Sequence, residues 1–139
     1  MFYYPSREKL GIIMHMDKRV LIVEDEPDIR EAMAEAVADA GFGVSTAENG
    51  QIGYEKAIEE KPDLILLDIV MPIMNGHETL QKLRQDPWGQ HAKVLMLTSM
   101  DDVKNIATAH EGGITDYLIK AHSSLDEIVS KVRETIYAE

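Results

Sequence analysis

The chain contains no cysteine, so it has neither a disulfide framework nor a thiolate metal site. It also lacks any long apolar run. The only apolar stretch near the N-terminus, Leu10 to Met14, is far too short to span a bilayer and has no signal-peptide organisation. The expectation is a soluble cytoplasmic protein that does not engage a membrane. Positive charge is scarce, with 14 Lys and Arg against 25 Asp and Glu and a net charge of −11. A polyanion is repelled by such a surface, which argues against direct DNA or RNA binding. Repeats, linkers and low-complexity segments are absent as well. A chain of 139 residues is long enough for one domain with a real core and too short for two ordinary ones.

What the sequence does contain is five apolar runs separated by helical patterns. Residues 1–15 show neither period, and Met16 looks like a natural start, so 1–15 is expected to be a flexible extension and 16–139 the domain. The units that follow are strand 19–24 with helix 27–40, strand 43–47 with helix 50–60, strand 64–68 with helix 75–85, strand 93–97 with helix 102–110, and strand 115–119 with helix 125–137. Pro27 suits a first helical position and Gly41 a C-terminal cap. Asn49 reads as an N-cap, and Ser124 with Glu127 as a capping box. Ile29, Met33, Val37 and Ala40 form one apolar stripe; Leu125, Ile128, Val129, Val132 and Ile136 form another. Strands of four or five apolar residues alternating with helices predict a doubly wound α/β sandwich, a five-stranded parallel sheet with helices on both faces.

The chemistry-bearing residues sit at the C-terminal ends of these runs. Glu24 and Asp25 follow Val20-Leu21-Ile22-Val23, Asp68 follows Leu64-Ile65-Leu66-Leu67, Thr98 follows Val94-Leu95-Met96-Leu97, and Lys120 follows Tyr117-Leu118-Ile119. In a parallel sheet these ends open onto one edge, where ligands bind. Any one of the acids alone reads as a helix cap, Thr98 alone as a turn residue, and Lys120 alone as a surface charge. Together they predict one acidic pocket holding a single cation. Carboxylates ~4 Å apart repel by about 4 kcal/mol at an effective dielectric near 20, so three of them need a counter-charge. Mg²⁺ fits, because it prefers a few oxygen ligands and bridges to phosphate. Asp25 and Asp68 are the expected direct ligands, with the backbone carbonyl of Val70 as a third and Glu24 acting through water. Asp68 is also the best nucleophile for phosphorus, with Lys120 and the Thr98 hydroxyl placed to hold phosphoryl oxygens. Ser99 keeps the neighbouring position small. The five histidines show no metal-ligand spacing; His122 stands out only for following Lys120 on the same loop.

The segments VLIVEDEPDIRE, TAENG, PDLILLDIVMPIMNG, VLMLTS and DYLIK resemble the receiver (response regulator) domain of two-component signalling, over residues 18–137. The resemblance implies the flavodoxin-like strand order 2-1-3-4-5. It implies Mg²⁺-dependent phosphorylation of Asp68 by a histidine kinase or phosphotransfer protein. It makes Glu24 and Asp25 the acidic pair, Lys120 the phosphate-pairing lysine, and Thr98 with Tyr117 the switch pair. The output would be protein–protein contact through helix 102–110, strand 115–119 and helix 125–137. The sequence departs from the family in having Ala121 where proline usually follows the lysine, and Gly112-Gly113-Ile114 in place of Ala-Gly-Ala. Two residues expected to flank the hydrolytic water, Val70 and Met100, cannot hydrogen-bond it, which implies a long-lived aspartyl phosphate.

Other classes fit less well. A phosphatase with an aspartyl-phosphate intermediate would carry a general acid two residues after the nucleophile, where this chain has Val70. A scaffold that kept only the fold would not need all five site residues. A flavin-binding protein would need hydroxyl and amide donors where the loop after the first strand is acidic.

Overall fold

The computed structural model describes residues 18–98, 113, 116–120 and 123–138. The extension 1–15, Ser99, Met100, the helix expected over 102–110, Gly112, Ile114, Ala121 and His122 lie outside the described residues, as does the peptide between Lys120 and Ala121.

Five strands form one parallel sheet: β1 (Arg19–Val23), β2 (Gly43–Ala47), β3 (Leu64–Asp68), β4 (Val94–Thr98) and β5 (Asp116–Ile119), in the order β2-β1-β3-β4-β5. Among the described residues the helices are α1 (Pro27–Asp39), α2 (Gly50–Glu60), α3 (Gly76–Arg84) and α4 (Leu125–Tyr137), with a short 3₁₀ turn at Gly89–His91. The apolar runs are central strands because both of their faces are covered. Val20, Ile22, Leu64, Leu66, Leu95 and Leu97 point to one side and meet Met33 and Val37 of α1 and Ile128, Val132 and Ile136 of α4. Leu21, Val23, Ile65, Leu67, Val94 and Met96 point to the other and meet Ala57 of α2 and Leu80 and Leu83 of α3. Each fully buried aliphatic side chain contributes on the order of 1.5–3 kcal/mol, so these two layers are the main source of stability.

Local chemistry accounts for the ends. Pro27 starts α1, and Gly41 follows that helix at φ 102°, a left-handed value that glycine adopts without penalty. Asn49 caps α2 by accepting from the Ile52 N–H at 2.9 Å. The C-terminal end of α4 is held by Lys93, whose Nζ donates to the carbonyls of Thr135, Ile136 and Ala138 at 3.1, 2.8 and 2.7 Å.

Three local expectations change. β4 runs one residue further, so Thr98 is its last residue rather than the first of a loop. Leu125 is 43% exposed; it opens α4 on the outer surface instead of joining the stripe. The reciprocal capping box belongs to Asn75 and Glu78, which makes Asn75 the N-cap of α3 and not its first helical residue. At Ser124 only half of that arrangement forms. Ser124 Oγ accepts from the Glu127 N–H at 3.2 Å, but the Glu127 carboxylate meets the Ser124 hydroxyl, not its backbone N–H.

Candidate active site

Register alone brings the candidate residues together. Val23 pairs with Leu67, so Glu24, the next residue, falls beside Asp68. Asp68 pairs with Leu97, so Thr98 is one residue beyond it, and Thr98 pairs with Ile119, which precedes Lys120. Glu24 lies one residue past β1, yet its N–H still donates to the Ala47 carbonyl at 3.0 Å. Its position is therefore held by the sheet.

Glu24 and Asp68 are buried; Asp25 is half-buried beside them. One carboxylate oxygen from each of the three can be chosen so that all lie within 4.8 Å of one another. Lys120 Nζ bridges two of them, at 2.7 Å from Glu24 Oε1 and 3.3 Å from Asp68 Oδ2. Thr98 is buried on the adjacent strand, and Tyr117 is half-buried with its ring against the α2–α3 side of the core. The structure thus gathers Glu24, Asp25, Asp68, Thr98 and Lys120 at one edge.

Glu24 is the acid expected to reach the cation through water. Its side chain is fully buried and is the closest partner of Lys120. The residue is one methylene longer than Asp, and that length reaches inward to the ammonium. Burial first, and then the neighbouring Asp68 carboxylate, push the Glu24 carboxyl up to about 8, although Lys120 opposes the shift. For Lys120, burial disfavours the charged form, but Glu24 and Asp68 outweigh it and hold the ammonium above the ordinary lysine range. Among the described residues, the Lys120 ammonium is the cation paired with the carboxylates of this cluster, and it pairs with two of the three.

The loop after β3 completes the rim. Val70 and Ile73 are 63% and 79% exposed. Ile73 has a φ of 71°, a left-handed conformation that is unfavourable for a β-branched residue and marks a tight turn. The turn returns the chain directly onto the site: the Gly76 N–H donates to the Ile69 carbonyl at 2.8 Å. A Cβ on Gly76 would overlap the Asp68 carbonyl oxygen and come within 2.8 Å of Ile69 Cα, so only glycine allows α3 to start this close to the end of β3.

Arg30 has no place in the sequence-derived set. Its Nη1 donates to the carbonyls of Glu24 and Asp25, at 3.0 and 3.2 Å. The one sequence signal for it is a cation in the first turn of a helix, where the dipole disfavours positive charge.

Residues 20–133 match the family model of the response regulator receiver domain. The chain belongs to the response regulator receiver family. The receiver is 35% identical over 119 residues to the phosphate regulon transcriptional regulatory protein PhoB of Pseudomonas aeruginosa, covering 86% of this chain and 52% of that protein. It is 33% identical over 115 residues to the DNA-binding dual master transcriptional regulator RpaA of Synechocystis, covering 83% and 47% respectively. It therefore spans about half the length of these relatives. Among solved structures it superposes on the chemotaxis response regulator CheY4 of Vibrio cholerae with a TM-score of 0.79 at 27% identity, over 85% of this chain and 98% of that one. As in the expectation, the fold is the five-stranded 2-1-3-4-5 sheet, and the receiver match is consistent with a phosphoacceptor switch. Neither the matches nor the geometry favours the phosphatase or scaffold readings. No helix among the described residues is long and apolar enough to cross a membrane.

Proposed function

We propose that Asp68 is the phosphoacceptor of this receiver. A histidine kinase or a histidine phosphotransfer protein is the donor. An Asp68 carboxylate oxygen attacks the donor's phosphorus, the phosphorus–nitrogen bond breaks, and the phosphoryl group is left as an acyl phosphate. The observation that carries this reading is the convergence of Glu24, Asp25 and Asp68 within 4.8 Å, with Lys120 at 3.3 Å from Asp68. Lys120 exchanges its contact with Asp68 for the incoming phosphoryl oxygens, and the Thr98 hydroxyl donates to another.

The pocket suits Mg²⁺. Its donors are carboxylate oxygens, and Glu24 Oε2 is buried without a hydrogen-bond partner among the described residues, an arrangement a hard cation relieves. Glu24, Asp25, Asp68 and the Val70 carbonyl would hold the ion, which supplies neutralisation of charge on the transferring group. Phosphorylation then shifts a pre-existing equilibrium read out through Thr98 and Tyr117 as altered protein–protein contact, in the cytoplasm, by a domain covering 16–139. The net charge of −11 supports a protein partner over nucleic acid for this chain.

Incubation with acetyl phosphate tests this. The wild type should gain one phosphoryl group by intact mass with Mg²⁺ and none with EDTA; chelator-insensitive labelling would overturn the metal assignment. Loss of the label after donor removal should be slow, taking many minutes, because Val70 offers no hydrogen bond to an attacking water. Val70→Asn should shorten the lifetime by up to about tenfold, equivalent to ~1.4 kcal/mol of barrier. An unchanged lifetime would contradict the attribution of slow loss to the missing hydrogen bond to water.

A further inference from the structure

We propose that Arg30 is a positioning residue for the metal pocket: by clamping the Glu24 and Asp25 carbonyls it fixes the direction in which the Asp25 carboxylate enters the site. The inference rests on the phosphoacceptor reading above.

The argument begins with what the acidic loop lacks. Glu26, the N-cap of α1, makes no side-chain capping bond. Asp25 lies in the bend between the last sheet-bonded residue, Glu24, and that uncapped helix. Among the described residues, Arg30 is the only side chain hydrogen-bonded to the backbone of Glu24 or Asp25, through one nitrogen at 3.0 and 3.2 Å. Its own N–H donates to the Glu26 carbonyl at 2.9 Å, which places Arg30 in the first helical turn, with its side chain folded back over the helix start. The helix dipole disfavours a cation there, so α1 does not gain from it. Two adjacent carbonyls turned toward one point would repel each other without a shared donor. With the donor in place, the Glu24 and Asp25 peptides are fixed, and with them the Cα–Cβ direction of Asp25. The arrangement is that of an outer partner holding a metal ligand in orientation.

A neighbouring residue provides the comparison. Arg30 and Lys56 line one cleft, and Lys56 Nζ also holds a strand-end carbonyl, that of Thr46, at 2.5 Å. Both are cations near the acidic edge, but only Arg30 touches the metal-ligand loop. The cleft is open to solvent, so either side chain can be shortened without a clash.

The sign of the effect separates positioning from simple charge. If Arg30 acted only as a nearby positive charge, removing it would tighten Mg²⁺ binding, because the pocket would become more negative. If it positions Asp25, removing it weakens binding. The experiment is calorimetric Mg²⁺ titration of the whole chain at pH 8 for wild type, Arg30→Met, Arg30→Lys and Lys56→Met, each checked for folding by circular dichroism. Arg30→Met is expected to raise Kd about tenfold, Arg30→Lys to recover part of that loss, and Lys56→Met to stay within about twofold of wild type or bind slightly tighter. With saturating Mg²⁺, the limiting rate of acetyl phosphate labelling should return close to wild type in Arg30→Met. Should Arg30→Met fail to fold, Arg30→Lys decides, since it keeps the charge but its nitrogen ends one bond short of the Arg30 Nη1 position that reaches both carbonyls: Mg²⁺ affinity equal to wild type in that variant would overturn the proposal. So would unchanged or tighter binding in a folded Arg30→Met, or equal weakening in Lys56→Met. A wild type that binds no Mg²⁺ would overturn the phosphoacceptor reading and this inference with it; normal wild-type binding with an indifferent Arg30→Met overturns this inference alone.

Discussion

Replacing Lys120 by alanine is expected to cost about 2–4 kcal/mol of stability at pH 8 without Mg²⁺, a large fraction of what a domain of this size possesses. The ammonium lies 2.7 Å from a fully buried carboxylate and 3.3 Å from a second. Removing one partner of such a group leaves charge in a poorly solvated place with nothing to balance it. Lys120 keeps 24% side-chain exposure, so water can enter the gap, which places the expected cost below that of a sealed pair. The loss should depend on pH in a definite direction. Glu24 already titrates near 8 with the lysine present. Without it the carboxyl takes up a proton at still higher pH, and protonation removes the repulsion. From Glu24 the penalty should therefore shrink only slightly, by up to about 0.4 kcal/mol (RT ln 2), as pH falls from 8 to 5, and Mg²⁺ should recover part of it at pH 8. Phosphorylation by acetyl phosphate should slow by about 10²-fold, the usual cost of deleting a preorganised charge aimed at a transferring group. Thermal melting of wild type and Lys120→Ala at pH 5 and pH 8, with and without metal, reads the stability part. Wild-type melting of the variant at pH 8 without Mg²⁺ would mean that the ion pair does not hold the site together.

Mg²⁺ affinity is expected to rise steeply with pH between about 6 and 8. The Glu24 carboxyl, pushed up to about 8, is protonated at pH 6 in the metal-free chain, and that proton must leave before the oxygen can serve a cation. Competition by one proton makes the apparent affinity change nearly tenfold per pH unit below the pKa, or roughly 50-fold from pH 6 to pH 8. Binding at pH 7 should release close to one proton, detectable as a calorimetric heat that varies with the ionisation enthalpy of the buffer. The same shift governs the metal-free fold. A carboxyl whose pKa is raised on folding gives stability that is fully present below its unfolded value near 4.5 and is lost as pH rises through about 8. Stabilisation by Mg²⁺ should therefore grow across that window. A flat affinity from pH 6 to pH 8 would show that Glu24 enters the folded pocket already ionised.

The parts of this site that were legible in the sequence are those governed by strand register. Once the runs ending at Val23, Leu67, Leu97 and Ile119 are buried parallel strands, a single edge follows, and Glu24, Asp68, Thr98 and Lys120 must share it. The core was legible for the same reason, since each run is apolar on both faces. What the sequence did not reveal depends on side-chain reach. Glu24 and Asp25 are adjacent acids with no pattern to say that one is sealed against Lys120 while the other stays half-exposed. Beyond its unfavourable charge in a first helical turn, Arg30 carries no sequence signal, because its role depends on a side chain folding back over the start of its own helix, whereas periodicity places it simply on a helix surface. Leu125 fits a helical stripe, yet it lies in the first turn, at the margin of the surface that α4 buries. The Asn75 cap is not legible because Asn-Gly after Met-Pro-Ile-Met reads equally well as the body of a helix or its beginning.

The central claim, that this receiver accepts its phosphoryl group on Asp68, is tested most directly by intact mass measurement of wild type and Asp68→Asn after incubation with acetyl phosphate and Mg²⁺. The substitution keeps the shape of the side chain and removes its charge and nucleophilicity, so the wild type should gain one phosphoryl group and the variant none. Full labelling of Asp68→Asn at another residue would contradict the account.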